Sequence, residues 1–237
     1  NVNLTNSANI STGSVVTETI KDTNVSITYL GGIYSYGIFA QSVGGGGGSG
    51  GNVLQANLSA GADVAVTAGA SIGGGAGSGN TAGSVTVKNT GSFITTLGDY
   101  ATGILAQSIG GGGGAGGSSL SLSGAGGSNA VSVGVNLGGN GGEGGRASDV
   151  TVDNSAAITT GTIFDNNLYG NYSYGIYAQS VGGGGGSGGE AISGSVSISQ
   201  GTSVNAGVAL GGTGGSGNTA GNVSVSNTGL IKTIGNN

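Results

Sequence analysis

The chain has 237 residues, 60 of them Gly, and contains no Cys, Pro, Met, Trp or His. Only 5% of residues are charged and the net charge is −5, with cations scattered at Lys21, Lys88, Arg146 and Lys232. No basic patch exists to hold nucleic acid or an anionic membrane surface. Without Cys or His, disulfide scaffolds, Cys- or His-based metal sites and Ser-His-Asp or Cys-His catalysis are excluded, and no apolar run approaches a membrane-spanning helix.

A Gly-rich chain without a period reads as disordered. Here 35% of residues are apolar and the chain repeats itself. In chain order the first motif is "VNLTNSANI" (2–10), which returns at 85–93, 150–158 and 223–231 with spacings of 83, 65 and 73 residues. Next come "YSYGIFAQSVGGGGGSGG" (34–51) and its copies at 100–117 and 172–189. A second Gly-rich stretch, 73–84, has counterparts at 138–149 and 211–222. Self-similarity at a long, elastic period is the signature of a repeat architecture. The expected organisation is one array with units 2–84, 85–149 and 150–222 and a partial unit 223–237. The chain opens without Met, shows no signal peptide and stops partway through a repeat, so it is expected to be part of a longer protein.

Within a unit the local code is period 2. Val85 and Val87 alternate with Thr86 and Lys88, Asn89-Thr90-Gly91 supplies a turn, "SFITT" a second strand, "LGDYAT" a corner and "GILAQSI" a third strand. No 3.6-residue stripe is present, and the turns lack the two-residue register that hairpins prefer. The expected fold is all-β, a right-handed parallel β-helix with Gly-rich excursions or loops. The recurring strand motif is Gly37, Ile38, Ala40, Gln41, Ser42 and Gly44, then Gly103, Ile104, Ala106, Gln107 and Ser108, then Gly175, Ile176, Ala178, Gln179 and Ser180. Its second face (Phe39, Gln41, Val43) is also rich in large side chains, which predicts a cover. The alternating segments after the glycine runs, with Val64-Ala65-Val66 and Val131-Ser132-Val133, are the expected cover. Each unit is then either about three stacked coils of 20–25 residues or one coil with a long excursion packed outside it.

Five consecutive glycines, kept in all three copies while neighbouring segments diverge, point to close backbone approach, with Gly46 among the packed positions. A phosphate cradle lacks its Lys and its helix, and a flexible linker has no reason to keep its length. The stretches at 138–144 and 211–217 share spacing with calcium-binding nonapeptides, but the ligand position holds Glu143, Ser216 or Ser78. Glu143, Asp149 and Asp153 are close in sequence, as a glycosidase pair would be, yet other copies place Ser, Lys or Asn there; solvated turn positions explain them better. Thr86, Thr95, Thr96, Thr159 and Thr160 form no regular Thr-x-Thr file of the kind an ice-binding face needs. No cofactor is expected. Tyr34, Tyr36, Tyr172 and Tyr174, with Tyr177, are candidates for an exposed aromatic contact surface for sugar or partner, or for packing over corner glycines.

The form GI-x-AQS-[VI]-GGGGG-x-GG, with "GSVTVKNTGSFITT" upstream, resembles the Gly-rich repeats in passenger regions of large bacterial autotransporters, and similar repeats occur in pertactin-like and filamentous adhesins. The resemblance covers essentially the whole chain. It implies a right-handed β-helical stalk exported through the outer membrane, displayed on the cell surface, and serving adhesion, biofilm formation or autoaggregation, with few Cys. It transfers no functional residues, and the family's signal peptide and translocator barrel do not occur in these 237 residues. The resulting expectation is a non-enzymatic extracellular stalk or adhesin segment whose repeats supply length. Its partners would be copies of itself, other surface proteins, or host and abiotic surfaces. A self-assembling filament subunit and a polysaccharide-processing β-helix are the alternatives.

Overall fold

The structure, a computed structural model, describes residues 1–20 and 25–235. Lys21 and the last two residues of the partial unit lie outside the described residues. The first unit runs through β1 (Val2–Asn6), β2 (Ile10–Thr12), β3 (Ser14–Ile20), β4 (Val25–Gly31), β5 (Ile38–Val43), β6 (Val53–Ala60) and β7 (Val64–Ile72). The second contains β8 (Val85–Asn89), β9 (Phe93–Thr96), β10 (Ile104–Ile109), β11 (Ser119–Gly127) and β12 (Asn129–Leu137). The third contains β13 (Val150–Asn154), β14 (Ala157–Thr160), β15 (Thr162–Phe164), β16 (Asn167–Tyr169), β17 (Ile176–Val181), β18 (Ala191–Ser199) and β19 (Ser203–Leu210). β20 (Val223–Asn227) and β21 (Ile231–Thr233) open the fourth. The described residues are all-β.

Five parallel sheets collect one strand from each of the first three units, and A and B also take one from the fourth: sheet A (β1-β8-β13-β20), sheet B (β2-β9-β14-β21), sheet C (β5-β10-β17), sheet D (β6-β11-β18) and sheet E (β7-β12-β19). Register joins like to like, with Val85 opposite Val2 and Val150, and Gln107 opposite Gln41 and Gln179. A unit therefore makes one wide circuit through all five sheets before it reaches the next strand of sheet A. The unit makes one circuit and not three stacked coils, but the excursion does not pack outside the coil as expected: sheets D and E lie away from sheet C.

The elastic period has a local cause. The spacings of 83 (2 to 85) and 73 (150 to 223) exceed 65 (85 to 150) by 18 and 8 residues, matching the lengths of segments 14–31 and 162–169. These segments are the antiparallel hairpins β3–β4 and β15–β16. The second turns on Asp165 (φ 49°) and Asn166 (φ 60°), both left-handed, as a two-residue hairpin loop requires. Hairpins are thus present after all, as insertions. Each leaves and returns through a glycine pair at positive φ, Gly13 (83°) and Gly32 (119°), or Gly161 (79°) and Gly170 (108°).

Two cores stand at the ends of the circuit. Sheets A, B and C enclose an aliphatic one: Ile38, Ala40, Val85, Val87, Ile94, Ile104, Ala106, Val150, Val152 and Ile158 are buried together. Burying each Ile or Val there contributes about 1.5–3 kcal/mol. The motif AQS divides by parity. Ala faces this core, and Ser staples it to the returning chain. Ser108 Oγ donates to the Gly83 carbonyl (3.0 Å) and accepts from the Ser148 N–H (2.9 Å); Ser42 and Ser180 accept from Gly83 and Gly221. Where β1, β8, β13 and β20 end, Asn6, Asn89, Asn154 and Asn227 chain their amides at 2.7–2.8 Å. Sheets D and E form the second core, whose small contents are Ala65, Ala125 and Ala130 with buried Ser, Thr and Asn.

The glycine runs connect the two cores as a slab. In the middle outgoing run, the N–H groups of Gly110, Gly113 and Gly116 donate to Val181, Gly184 and Ser187 of the next unit at 2.8 Å. Those of Gly111, Gly114 and Gly117 donate to Asn80, Gly77 and Gly74 of the returning run at 2.8–3.0 Å. Returning Gly139, Gly142 and Gly145 donate in turn to Gly117, Gly114 and Gly111. A repeat of three residues along a chain with no internal bonds is that of a polyproline-II-type helix. An interior run therefore bonds to neighbours in its own layer and in the facing layer, which offsets the ordering cost of glycine. Two positions in three face other backbones: a Cβ added at Gly110, Gly111, Gly113, Gly114, Gly116 or Gly117 would overlap a neighbouring carbonyl oxygen. The third position faces solvent, and there the chain carries Ala115, Ser118, Asn140, Glu143 and Arg146. Gly46 belongs to this open set: its added Cβ would meet only the Gly112 oxygen, at 3.7 Å. Its expected packing role falls to Gly47 and Gly44 instead. None of the runs uses positive φ, so the requirement for Gly is steric.

Substitution separates the two classes. Gly114→Ala is expected to lower stability by at least the ~1–3 kcal/mol of an overpacked core, because backbone must move. Gly112→Ala, with 3.9 Å to its nearest neighbour, should be neutral or stabilise by up to ~1 kcal/mol through the unfolded chain. Thermal melts followed by circular dichroism compare them; equal losses would contradict the three-residue register.

Candidate contact surface

The corners leading into sheet C are "GIYSYG" (32–37), "GDYATG" (98–103) and "GNYSYG" (170–175). They stack in register through Tyr34 N–H to the Asp99 carbonyl (3.0 Å) and Tyr100 N–H to the Asn171 carbonyl (2.9 Å). Asp99 Oδ1 accepts from the N–H groups of Gly170 (2.7 Å) and Asn171 (2.8 Å). Buried Ser173 Oγ accepts from Ala101 N–H (2.9 Å) and donates to the Gly98 carbonyl (3.1 Å). Side chains at Gly37 and Gly103 would meet the next unit's backbone oxygen at 2.6 Å, while one at Gly175 would overlap Ile231.

This corner holds Tyr34, Tyr100 and Tyr172 at φ 58°, 55° and 54°, left-handed values that cost a non-glycine residue about 1–3 kcal/mol each. The rings compensate in part by stacking: centroids lie 4.9 Å apart for Tyr34–Tyr100 and 5.1 Å for Tyr100–Tyr172, with planes within 19° and 15°. Such pairs contribute about 0.5–1.5 kcal/mol beyond their burial. Beside the column stand two tilted pairs, Tyr36–Phe39 at 5.3 Å and Tyr174–Tyr177 at 5.4 Å. The middle unit has Thr102 and Leu105 in place of those large rings. The result is a trough of about 300 Å³ with aromatic walls and a lower floor.

A polar rail runs along the same face. Gln41 Nε2 donates to Gln107 Oε1 (2.9 Å), Gln107 Nε2 donates to Gln179 Oε1 (3.2 Å), and the Tyr177 hydroxyl donates to Gln179 Oε1 (3.2 Å). The four tyrosines singled out from sequence thus lie together, and the structure adds Tyr100, the centre of the column. Its copy reads YATG, without the second Tyr, so nothing local marked it. Positional equivalence to Tyr34 and Tyr172 was the available signal.

The expected cover over this face is absent. Phe39 is 50% and Val43 60% exposed, because the slab carries sheets D and E away from sheet C. The acidic residues occupy separate settings. Glu143 is exposed on the slab, Asp149 Oδ1 accepts from Asn222 N–H (2.7 Å), and Asp153 lies in a shallow groove beside Lys88 and Ser226 that no second carboxylate lines. Among the described residues no three carboxylates gather to hold a metal ion.

Tyr100 distinguishes strain from stacking. Tyr100→Ala keeps the left-handed backbone and loses two ring contacts, so it should destabilise by about 1–3 kcal/mol. Tyr100→Gly loses the same contacts but relieves the φ penalty, and it should melt above the Ala variant. The reverse order would show that the corner geometry carries no strain. Comparison with protein-family models, with curated proteins and with solved structures finds no match to this chain.

Proposed function

We propose that this chain is a structural, non-catalytic segment of an extracellular bacterial surface protein. In this reading it is a right-handed parallel β-helix whose stacked units support adhesion, autoaggregation or biofilm formation. The observation that supports it is the register: every unit sets the same motif against its own copy in five parallel sheets, so units can be added without altering the plan. Resemblance to autotransporter passengers supplies the route, across the outer membrane to the cell surface.

The geometry favours breadth over length as the role of the repeats. A stacked unit adds about 4.8 Å along the stack, yet consumes at least 65 residues. Its slab, at about 3.1 Å per residue over 44–52, reaches roughly 28 Å, and sheets D and E add roughly 30 Å. Chain is being spent on breadth. A unit of this shape is a poor spacer and an efficient way to hold a wide, repetitive face outward. The tyrosine trough is the proposed contact surface on the core side of that face. The polysaccharide-processing alternative needs two carboxylates about 5–9.5 Å apart on one cleft, and the grooves described above supply no such pair.

Antibodies raised against the purified chain test the display reading on intact cells that make the parent protein. Surface labelling, removed by external protease, is the expected result. Labelling that appears only after lysis would overturn it.

A further inference from the structure

The second core is inverted. Along sheet D the inward positions are polar or small: Ser119, Ser121 and Ser123 are buried, and their outward neighbours Leu120 and Leu122 are exposed. Sheet E repeats this, with Thr67, Ser71, Ser132 and Asn136 inside and Val64, Val66, Ile72, Val135 and Leu137 outside. Close approach explains the interior. A Cβ at Gly134 would meet Ser193 Oγ at 2.7 Å, and one at Gly69 would meet Asn57 Nδ2 at 2.5 Å. Among the described residues, six serine hydroxyls and Gln55 Oε1 are buried without hydrogen-bond partners, at about 1–3 kcal/mol each. Meanwhile Leu58 is 82% and Ile198 74% exposed. A two-sheet sandwich gains nothing in isolation from that distribution.

We propose that the outer faces of sheets D and E pack against second copies of this chain, the ridge of sheet E seating in the recess of sheet D. Three features favour a copy over another occupant. First, the six strands β6, β7, β11, β12, β18 and β19 contain no Asp, Glu, Lys or Arg. On such a surface a chain of net charge −5 meets its own kind with no charged strand residue set against another. Second, the two faces are complementary in relief. Outward Gly124 and Gly126 leave a recess of about 280 Å³ on sheet D, bordered by Leu58, Leu122, Val196 and Ile198. Sheet E carries Val133, Val135 and Leu137 at its centre, with no outward glycine in that strand. Third, the area scales with repeat number. Three strands at about 4.8 Å by nine residues at about 3.3 Å give roughly 430 Å² per face, about half of the ~800 Å² per partner of a stable interface. About six units reach that figure.

Ridge on one side and recess on the other make the contact heterologous, so it propagates sideways instead of closing as a dimer. It goes beyond the display reading, and the purified chain tests it whatever the parent's location. The absence of native Cys allows a clean trap. Leu122→Cys and Val135→Cys, both at exposed sites, are mixed under mild oxidation, with exposed Glu143→Cys as control. The mixed disulfide should exceed the control several-fold and exceed either homodimer. Leu58→Ser with Ile198→Ser, checked for an unchanged circular dichroism spectrum, should return it to the control level. Yields equal to the control, or dominance of homodimers, would overturn the pairing. So would flotation with phosphatidylcholine vesicles at control-level cross-linking, which would assign the faces to lipid.

Discussion

The structure depends on backbone hydrogen bonds that recur every third residue between glycine runs. Each run is locally a helix with no bonds of its own, so its order comes wholly from neighbours. In the middle outgoing run, two N–H groups in three are used, one within the layer and one across it. That arrangement needs distances between runs at which a Cβ has no room, and it makes glycine obligatory at two positions in three. A single methyl group at Gly114 would press on the backbone of Gly47 and Gly48 in a different unit. Order here is collective. Within a unit the returning run bonds to the outgoing one, as Gly142 does to Gly114, but the outgoing N–H groups are satisfied by the units on either side.

Everything else is attached to that slab. At one end, conventional parity places Val, Ile and Ala of sheets A, B and C in an aliphatic core, with Ser108 and its counterparts tying the outgoing strand to the returning one. At the other, the space between sheets D and E holds mainly Ser, Ala, Thr, Gly and Asn, and the large aliphatic residues turn outward. The slab also separates the tyrosine corner from the sandwich, which is why Phe39 and Val43 stay uncovered. The two exposed surfaces therefore differ in chemistry. One is aromatic with an amide rail; the other is aliphatic and uncharged.

Breadth follows from the same constraint. A slab bonded every third residue can widen only in steps of three, and the outgoing and returning runs must match in length. Variation is pushed elsewhere, into the hairpins β3–β4 and β15–β16, which leave the circuit through paired glycines. Insertions of 18 and 8 residues change the period without disturbing any sheet register. Repeat proteins commonly confine insertions to one face in this way.

Much of this was legible in the residues. The strands at Val85, Phe93 and Ile104, the division of AQS between two faces, and the need for glycine along most of each run follow from alternation and from copies compared with one another. Alternation states that two faces differ, but it is silent on which face has a partner. For that reason the sandwich of sheets D and E, with leucines outside and serines inside, could not be read from its pattern. The partners of Gly46 and Gly47 lie in other runs of the array, so only the assembled slab shows that one is free and the other packed. Tyr100 is the same case, placed between Tyr34 and Tyr172 by stacking across units of different length. The repeat, its recurring strands and the glycine requirement are written in the residues alone, because they are local sterics repeated along the chain. The circuit, the slab register and the exposed surfaces emerge only on folding, because they rest on hydrogen bonds and contacts between units that no local pattern encodes.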